Sequence, residues 1–365
     1  MAADEGRGGR DGRRTLTTSR VVFVVIAAAA PMAAMVGNTP LALLYGNGPG
    51  LPVAYLVAAV ALLCFSVGYA AMSRRVVNTG AFYTYVARGI GRPPAVGAAY
   101  LAVLSYTALT VGLAGAFGYF VKLVLAEEDI HVAWEWPAAV AIVVVALLGY
   151  RSADLSAKVL GVLMILEFAI LIIFDASVLI HNGIHALPIE AFNPKYVFTG
   201  SIGIGLMFAI TSFVGFESAA LYGEETADPV RSIPRATYIA VISIGVFYFF
   251  TTWFTVGSIG VDQTHQVAAD LQKTDDLGQL LFNQADAYAG TAVMDVMAVL
   301  LCTSVLASML AVHNAASRYM FALGRERVLP RGLGAYHGRH LSPYVGSLTV
   351  TSITVIAVGA FALAG

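Results

Sequence analysis

Residues 212–235 read S-F-V-G-F-E-S-A-A-L-Y-G-E-E-T-A-D-P-V-R-S-I-P-R, and two incompatible chemistries meet inside them. From Thr199 the chain reads as a membrane helix, yet Gly215 and Glu217 put a flexible backbone and a carboxylate near mid-bilayer depth. Unsatisfied backbone groups cost several kcal/mol each in lipid, so such a break persists only where protein packs it or a wet cavity receives it. An interrupted membrane helix is therefore a candidate binding site.

Outward from that stretch, 58% of the 365 residues are hydrophobic and 12% charged. Several separate apolar runs are long enough to cross about 30 Å of hydrocarbon. The expected fold class is an all-α polytopic membrane protein with about nine transmembrane helices. They fall at 21–45, 51–72, 95–125, 134–150, 156–180, 199–223, 236–261, 288–317 and 343–364.

Orientation follows Lys and Arg rather than the net charge of −1. Alternate assignment puts 18 of the 21 basic residues on one side and leaves only Lys122, Lys195 and Lys273 opposite. This predicts a cytoplasmic N-terminus in a multi-pass protein of the plasma (inner) membrane, with an odd span count putting the C-terminus outside. Residues 1–20 are rich in Gly and Arg and read as a disordered cytoplasmic tail. The run after Arg14 imitates a signal peptide, but eight further spans favour an uncleaved first helix. Cys64 and Cys302 fall inside apolar runs, so no disulfide framework is implied.

The first span should be interrupted as well. Pro31, Gly37 and the following N-T-P predict a break, with a second half-helix starting at Thr39–Pro40 and its positive dipole end facing the gap. Broken helices 1 and 6 occupy corresponding positions if the chain is two five-helix repeats. Since five is odd, the second repeat must be inverted.

Ionisable groups in the fifth span are informative: Lys158 near its start, Glu167 near its middle and Asp175 toward the other end. Lys158 and Glu167 lie on opposite helix faces about 13 Å apart and form no ion pair. Lys158 can snorkel to the headgroups; Glu167 has no such escape. In the third span Tyr100 and Tyr106 point about 120° apart, so only one ring faces a central cavity. His313 is the one histidine in a span and reads as a packing or capping residue, so no metal site is expected. No phosphate-binding loop or zincin helix occurs, and neither a cofactor nor a nucleic-acid partner is expected.

The block F-V-G-F-E followed by G-E-E-T-A-D-P-V-R-S-I-P-R-A closely resembles the signature of the amino acid–polyamine–organocation superfamily of permeases. N-T-G-A-F-Y-T-Y-V-A-R-G-I-G after the second span and N-A-A-S-R-Y-M-F-A-L-G-R-E-R-V-L-P closing the eighth are similar to the family's other two cytoplasmic motifs. The resemblance implies a five-plus-five inverted repeat of the leucine-transporter-like kind, with residues 21–180 as the first repeat and 199–365 as the second. Family members commonly have about ten to twelve spans. The second repeat is thus expected to be incomplete, with four helices, as in a fragment or a chain that needs another.

By resemblance, substrate is held between the broken helices, at Ala30, Pro31, Ala34, Met35 and Gly37 on the first, Tyr106 on the third, and Phe213, Val214, Gly215 and Phe216 on the sixth. Glu217 is expected near a gate. Lys158, with Glu167, is expected to take part in gating or coupling, because some members place a fifth-helix lysine where others bind sodium. The implied function is secondary active transport of an amino acid by alternating access, coupled to a proton rather than sodium, with the lipid bilayer as surroundings. An amine or polyamine transporter, or a non-transporting membrane subunit or sensor, is the alternative. No enzyme is expected, since no catalytic constellation converges in the spans.

Overall fold

Helix starts and stops follow local chemistry throughout the computed structural model, which describes residues 16–76, 81–151, 153–223, 226–274, 276–335 and 342–364, with backbone alone at 81–82, 151, 153–160 and 221. The third span (Arg92–Glu127) opens on two prolines after Gly91, whose φ is 129°. Proline there wastes no hydrogen bond, because the first helical N–H groups have no intrahelical partner. The seventh (Pro229–Ile259) starts the same way behind Asp228, whose carboxylate accepts from Arg231 N at 3.4 Å, and it stops at Gly260 with φ 93°.

Eight helices among the described residues are long and apolar enough to cross a membrane. Besides the third and seventh they are the first (Thr18–Tyr45), second (Gly48–Arg75), fifth (Ala153–Asn182), sixth (Ile202–Ala220), eighth (Thr291–Arg325) and ninth (Tyr344–Ala364). The run expected at 134–150 forms a ninth apolar helix, Glu135–Arg151, which is shorter at 17 residues. It is counted here as the fourth span. The protein is an all-α, integral multi-pass membrane protein.

The first, seventh and eighth spans form the interior, whereas the ninth and third face outward. Ile356 and Leu104 are 71% and 65% exposed, as suits side chains meant for lipid rather than water. The first span packs on the sixth, the second on the seventh, the third on the eighth and the fourth on the ninth.

Residues 16–20, expected within the tail, are part of the folded body. Leu16 is buried, its carbonyl accepts from Ala227 N at 3.1 Å, and Thr18 Oγ1 lies 2.8 Å from Ser232 Oγ. These contacts tie the start of the first span to the start of the seventh.

Candidate functional site

The sixth span is helical from Ile202 to Thr211, turns through residues 212–215 and resumes as a 3-10 helix, Phe216–Tyr222. The pivot is Gly215, whose φ of 108° is strained for any residue with a Cβ. Glu217 closes the opening from within the same segment, its Oε2 accepting from Gly215 N at 3.0 Å. Its Oε1 accepts from the Tyr106 hydroxyl of the third span, and its backbone carbonyl from the Tyr69 hydroxyl of the second. Ser212 Oγ donates to Phe208 O at 2.8 Å, so it serves as acceptor for Asn38 Nδ2 and the Tyr55 hydroxyl, both at 2.9 Å.

In the first span the helix Thr18–Ala29 ends at Ala30, which takes the left-handed conformation, φ 45° and ψ 74°. Pro31 ends the helix there, because its ring disfavours right-handed helical geometry in the residue before it. A short helical turn, Pro31–Ala33, leads into a π-helical turn, Ala34–Asn38, and then the helix Thr39–Tyr45. The second half-helix therefore begins at Pro31, not at Thr39–Pro40 as expected. Thr39 is right-handed helical, and Asn38 before it makes no capping bond to the helix but reaches across to Ser212. Gly37 is not sterically required: an added Cβ would sit 3.8 Å from the Phe120 ring.

Backbone groups opened by this break are met from three other spans. Ala28 O accepts from Ser308 Oγ at 3.2 Å and Ala29 O from the Tyr248 hydroxyl at 3.3 Å. Met32 N donates to Glu167 Oε2 at 3.3 Å, and Ser304 Oγ donates to the same oxygen at 2.7 Å. Glu167 thus supplies an acceptor at the positive end of the half-helix.

The two breaks touch. A Cβ added to Gly215 would lie 2.8 Å from Ala28 Cβ and 2.9 Å from Ala28 C. In this conformation, first-span backbone fills the space beside Gly215.

Of the expected site residues, Ala30, Pro31, Ala34, Met35, Gly215 and Glu217 lie at these breaks, with Tyr106 stacked on Tyr319 at 5.6 Å. Phe213 and Phe216 point into aromatic packing instead, against Tyr248 at 5.5 Å and Phe65 at 6.1 Å. Val214 and Gly37 are half-buried. Tyr100 is turned away and donates to Val328 O at 3.2 Å. The Lys158 side chain lies outside the described residues. His313 is bonded to Ser347 Oγ at 2.9 Å. Sequence reasoning missed Tyr55, Tyr69, Ser212, Tyr248, Ser304 and Ser308. Only Ser304 and Ser308, four apart on one helix face, left a readable signal.

Near the basic face, the helix Ala81–Gly89 leans on the end of the eighth span through the Tyr83 hydroxyl, which donates to Glu326 Oε1. Burial, and then the Glu326 carboxylate, hold that hydroxyl well above its usual pKa. Tyr85 packs edge-on against Tyr69 at 5.4 Å, so this helix reaches the group that holds the Glu217 carbonyl.

Interrupted spans meeting at their breaks inside a multi-pass helical bundle are the arrangement in which membrane transporters hold their substrates. The chain belongs to the amino acid permease family, whose model matches residues 16–365. That family comprises transporters rather than enzymes. The chain is similar to the branched-chain amino acid permease BcaP of Bacillus subtilis (strain 168), 26% identical over 322 residues, covering 82% of this chain and 65% of that one. It is also similar to the low-affinity putrescine importer PlaP of Escherichia coli (strain K12), 26% identical over 360 residues, covering 95% and 75% respectively. The matched region spans about two thirds to three quarters of the length of these relatives.

Proposed function

We propose that the chain forms the membrane body of a secondary active permease that moves an amino acid by alternating access, drawing on a proton gradient. The observation that carries this reading is the contact of Gly215 with Ala28, which brings two helix breaks together beside two carboxylates. The substrate residues are those expected on the first, third and sixth spans, with Phe213 and Phe216 contributing backbone rather than their packed rings, and the ammonium received by carbonyls near Gly215 and by Glu217. Backbone contact across the breaks marks a closed arrangement, so the first and sixth spans must part for substrate to enter. Glu217, tied to Tyr106, serves as the gate, and Glu167 as a coupling group at the half-helix end. Lys158 remains a coupling candidate on the resemblance alone.

Pairing of each of the first four spans with the one five places later supports reading 21–180 and 199–365 as repeats of opposite topology. The Lys and Arg bias supports a cytoplasmic N-terminus in the plasma (inner) membrane.

One observation favours a second reading. An amine without a carboxylate was expected to leave the half-helix donors without a partner, but the Glu167 carboxyl already accepts from one of them. A polyamine therefore fits this closed site without that penalty, and the PlaP relative is named as a putrescine importer.

Counterflow of labelled branched-chain amino acids and of labelled putrescine in proteoliposomes tests both readings. Saturable amino acid counterflow is the expected result. Putrescine counterflow alone selects the second reading, and binding without movement of either identifies a sensor or subunit.

A further inference from the structure

The fifth span holds a second buried carboxyl that the reading above leaves unused. Asp175 lies eight residues beyond Glu167, about 12 Å along the helix axis, and is 7% exposed. Its Oδ2 accepts from Thr251 Oγ1 of the seventh span at 2.8 Å. Its Oδ1 is buried with no partner among the described residues.

No cation neutralises this group within the described residues, where the ion pairs are Asp228 with Arg231 and Asp270 with Lys273, all exposed. None of the titratable groups on the packed elements, Tyr238 and Tyr319 included, bonds or pairs with Asp175 among the described residues. His181, on the same helix, bonds Ser177 O at 2.8 Å. On the seventh span the Tyr248 hydroxyl donates to Ala29 O, and on the helix Leu280–Ala289 the Tyr288 hydroxyl donates to Ser258 O at 2.8 Å. The eighth span brings His313, bonded to Ser347, the thiol of Cys302, and Arg318 over the Tyr222 ring at 5.0 Å. Arg20 of the first span, Arg231 and Arg235 of the seventh, Asp286, Asp295, Arg325 and His185 are at exposed positions.

An ionised carboxylate with one bare oxygen in apolar surroundings costs several kcal/mol, and a bound cation removes that cost. A metal cation needs several oxygen ligands. The described side chains offer this carboxyl and one hydroxyl that already donates to it, whereas a proton needs one lone pair. Along the same interface Asn182 Nδ2 donates to Gly257 O and to the Tyr288 hydroxyl, both at 3.1 Å. Buried polar groups therefore recur along the fifth span, from Glu167, which meets the first and eighth spans, to Asp175 and Asn182, which meet the seventh, about 22 Å along the axis.

We infer that Asp175 is a proton-binding station on a path between Glu167 and the membrane face at Gly183, taking a proton on Oδ1 and releasing it again while Thr251 holds Oδ2. The proton comes from water at the Asn182 end and returns to water, or is carried by water over the roughly 12 Å to the Glu167 carboxylate; no electron moves. This extends the proton-coupled reading, and its test separates the two.

Infrared difference spectra of the full chain in liposomes, recorded across a pH titration in H2O and 2H2O, should contain a carboxylic C=O band that Asp175→Asn removes and Glu167→Gln leaves in place. Asp175→Glu should restore a titrating band at a shifted frequency, which guards against a variant that merely misfolds. A band unchanged in Asp175→Asn overturns the assignment. In the same liposomes Asp175→Asn should lose proton-driven accumulation while counterflow persists; parental accumulation in that variant also overturns it. Absence of counterflow in the parent defeats the transport reading and leaves the infrared result to decide the proton site.

Discussion

In the sixth span the residues that open the helix also satisfy it: Gly215 turns the backbone and Glu217, two positions on, accepts from its N–H. In the first span no nearby side chain does this. Ala30 turns without the freedom of glycine, and the opened groups are met by Glu167, Tyr248 and Ser308 from distant spans. One break is a local device held by a local carboxylate; the other is started by Pro31 but satisfied only by the assembled bundle. Substitutions inside the sixth break should therefore act on that segment, whereas the first break should respond to changes in other helices.

The largest effect is expected for Gly215→Leu, which adds a side chain at φ 108° and drives it into first-span backbone. Strain and overpacking together should cost about 3 kcal/mol or more, read as a lowered unfolding midpoint in detergent, with substrate binding lost. Glu167→Ala should come next at about 2–3 kcal/mol, because Met32 N–H and the Ser304 hydroxyl lose their shared acceptor. Equal stability of that variant and the parent would mean that the first break does not depend on the fifth span.

Tyr106→Phe removes one donor from a half-buried carboxylate and should cost about 1.5 kcal/mol. Since Glu217 keeps its bond to Gly215 N, the sixth break itself should survive, which amide exchange at residues 213–218 would report. The smallest change should be a gain: Ala30→Gly relieves a left-handed alanine but loosens the unfolded chain, for a net stabilisation of about 0.5 kcal/mol. Loss of stability there would argue that the Ala30 methyl packs usefully.

This contrast also accounts for what was legible in the sequence. Apolar runs report on hydrocarbon thickness, so the run at 51–72 became the helix of the second span and the run at 343–364 the ninth. Gly215 beside Glu217 was readable because a flexible residue and a carboxylate are both out of place in lipid. Ala30 carries no such mark, being as apolar as its neighbours; Pro31 and Gly37 bracketed the break, but the start of the second half-helix was expected at Thr39–Pro40 rather than at Pro31. The partners of Glu167 were unreadable for a different reason. Helical periodicity assigns a residue to a face but says nothing of which helix that face meets, so neither the 135 positions between Met32 and Glu167 nor the 137 between Glu167 and Ser304 left a trace. Tyr106 was singled out by resemblance, whereas Tyr69, which holds the Glu217 carbonyl, was not.

Long-range capping of the first span sets a timetable for its biosynthesis. Ser308, which holds Ala28 O, leaves the ribosome 280 residues after it. At roughly 5–20 residues per second, that is about 15–55 s during which the nascent first span has no such donor. An exposed break in lipid is too costly to persist that long. The first span, interrupted at Pro31 from the start, must therefore meet water or other polar groups until Glu167, Tyr248 and Ser308 arrive in turn, so its final capping is a late event in folding rather than the template on which the later spans assemble.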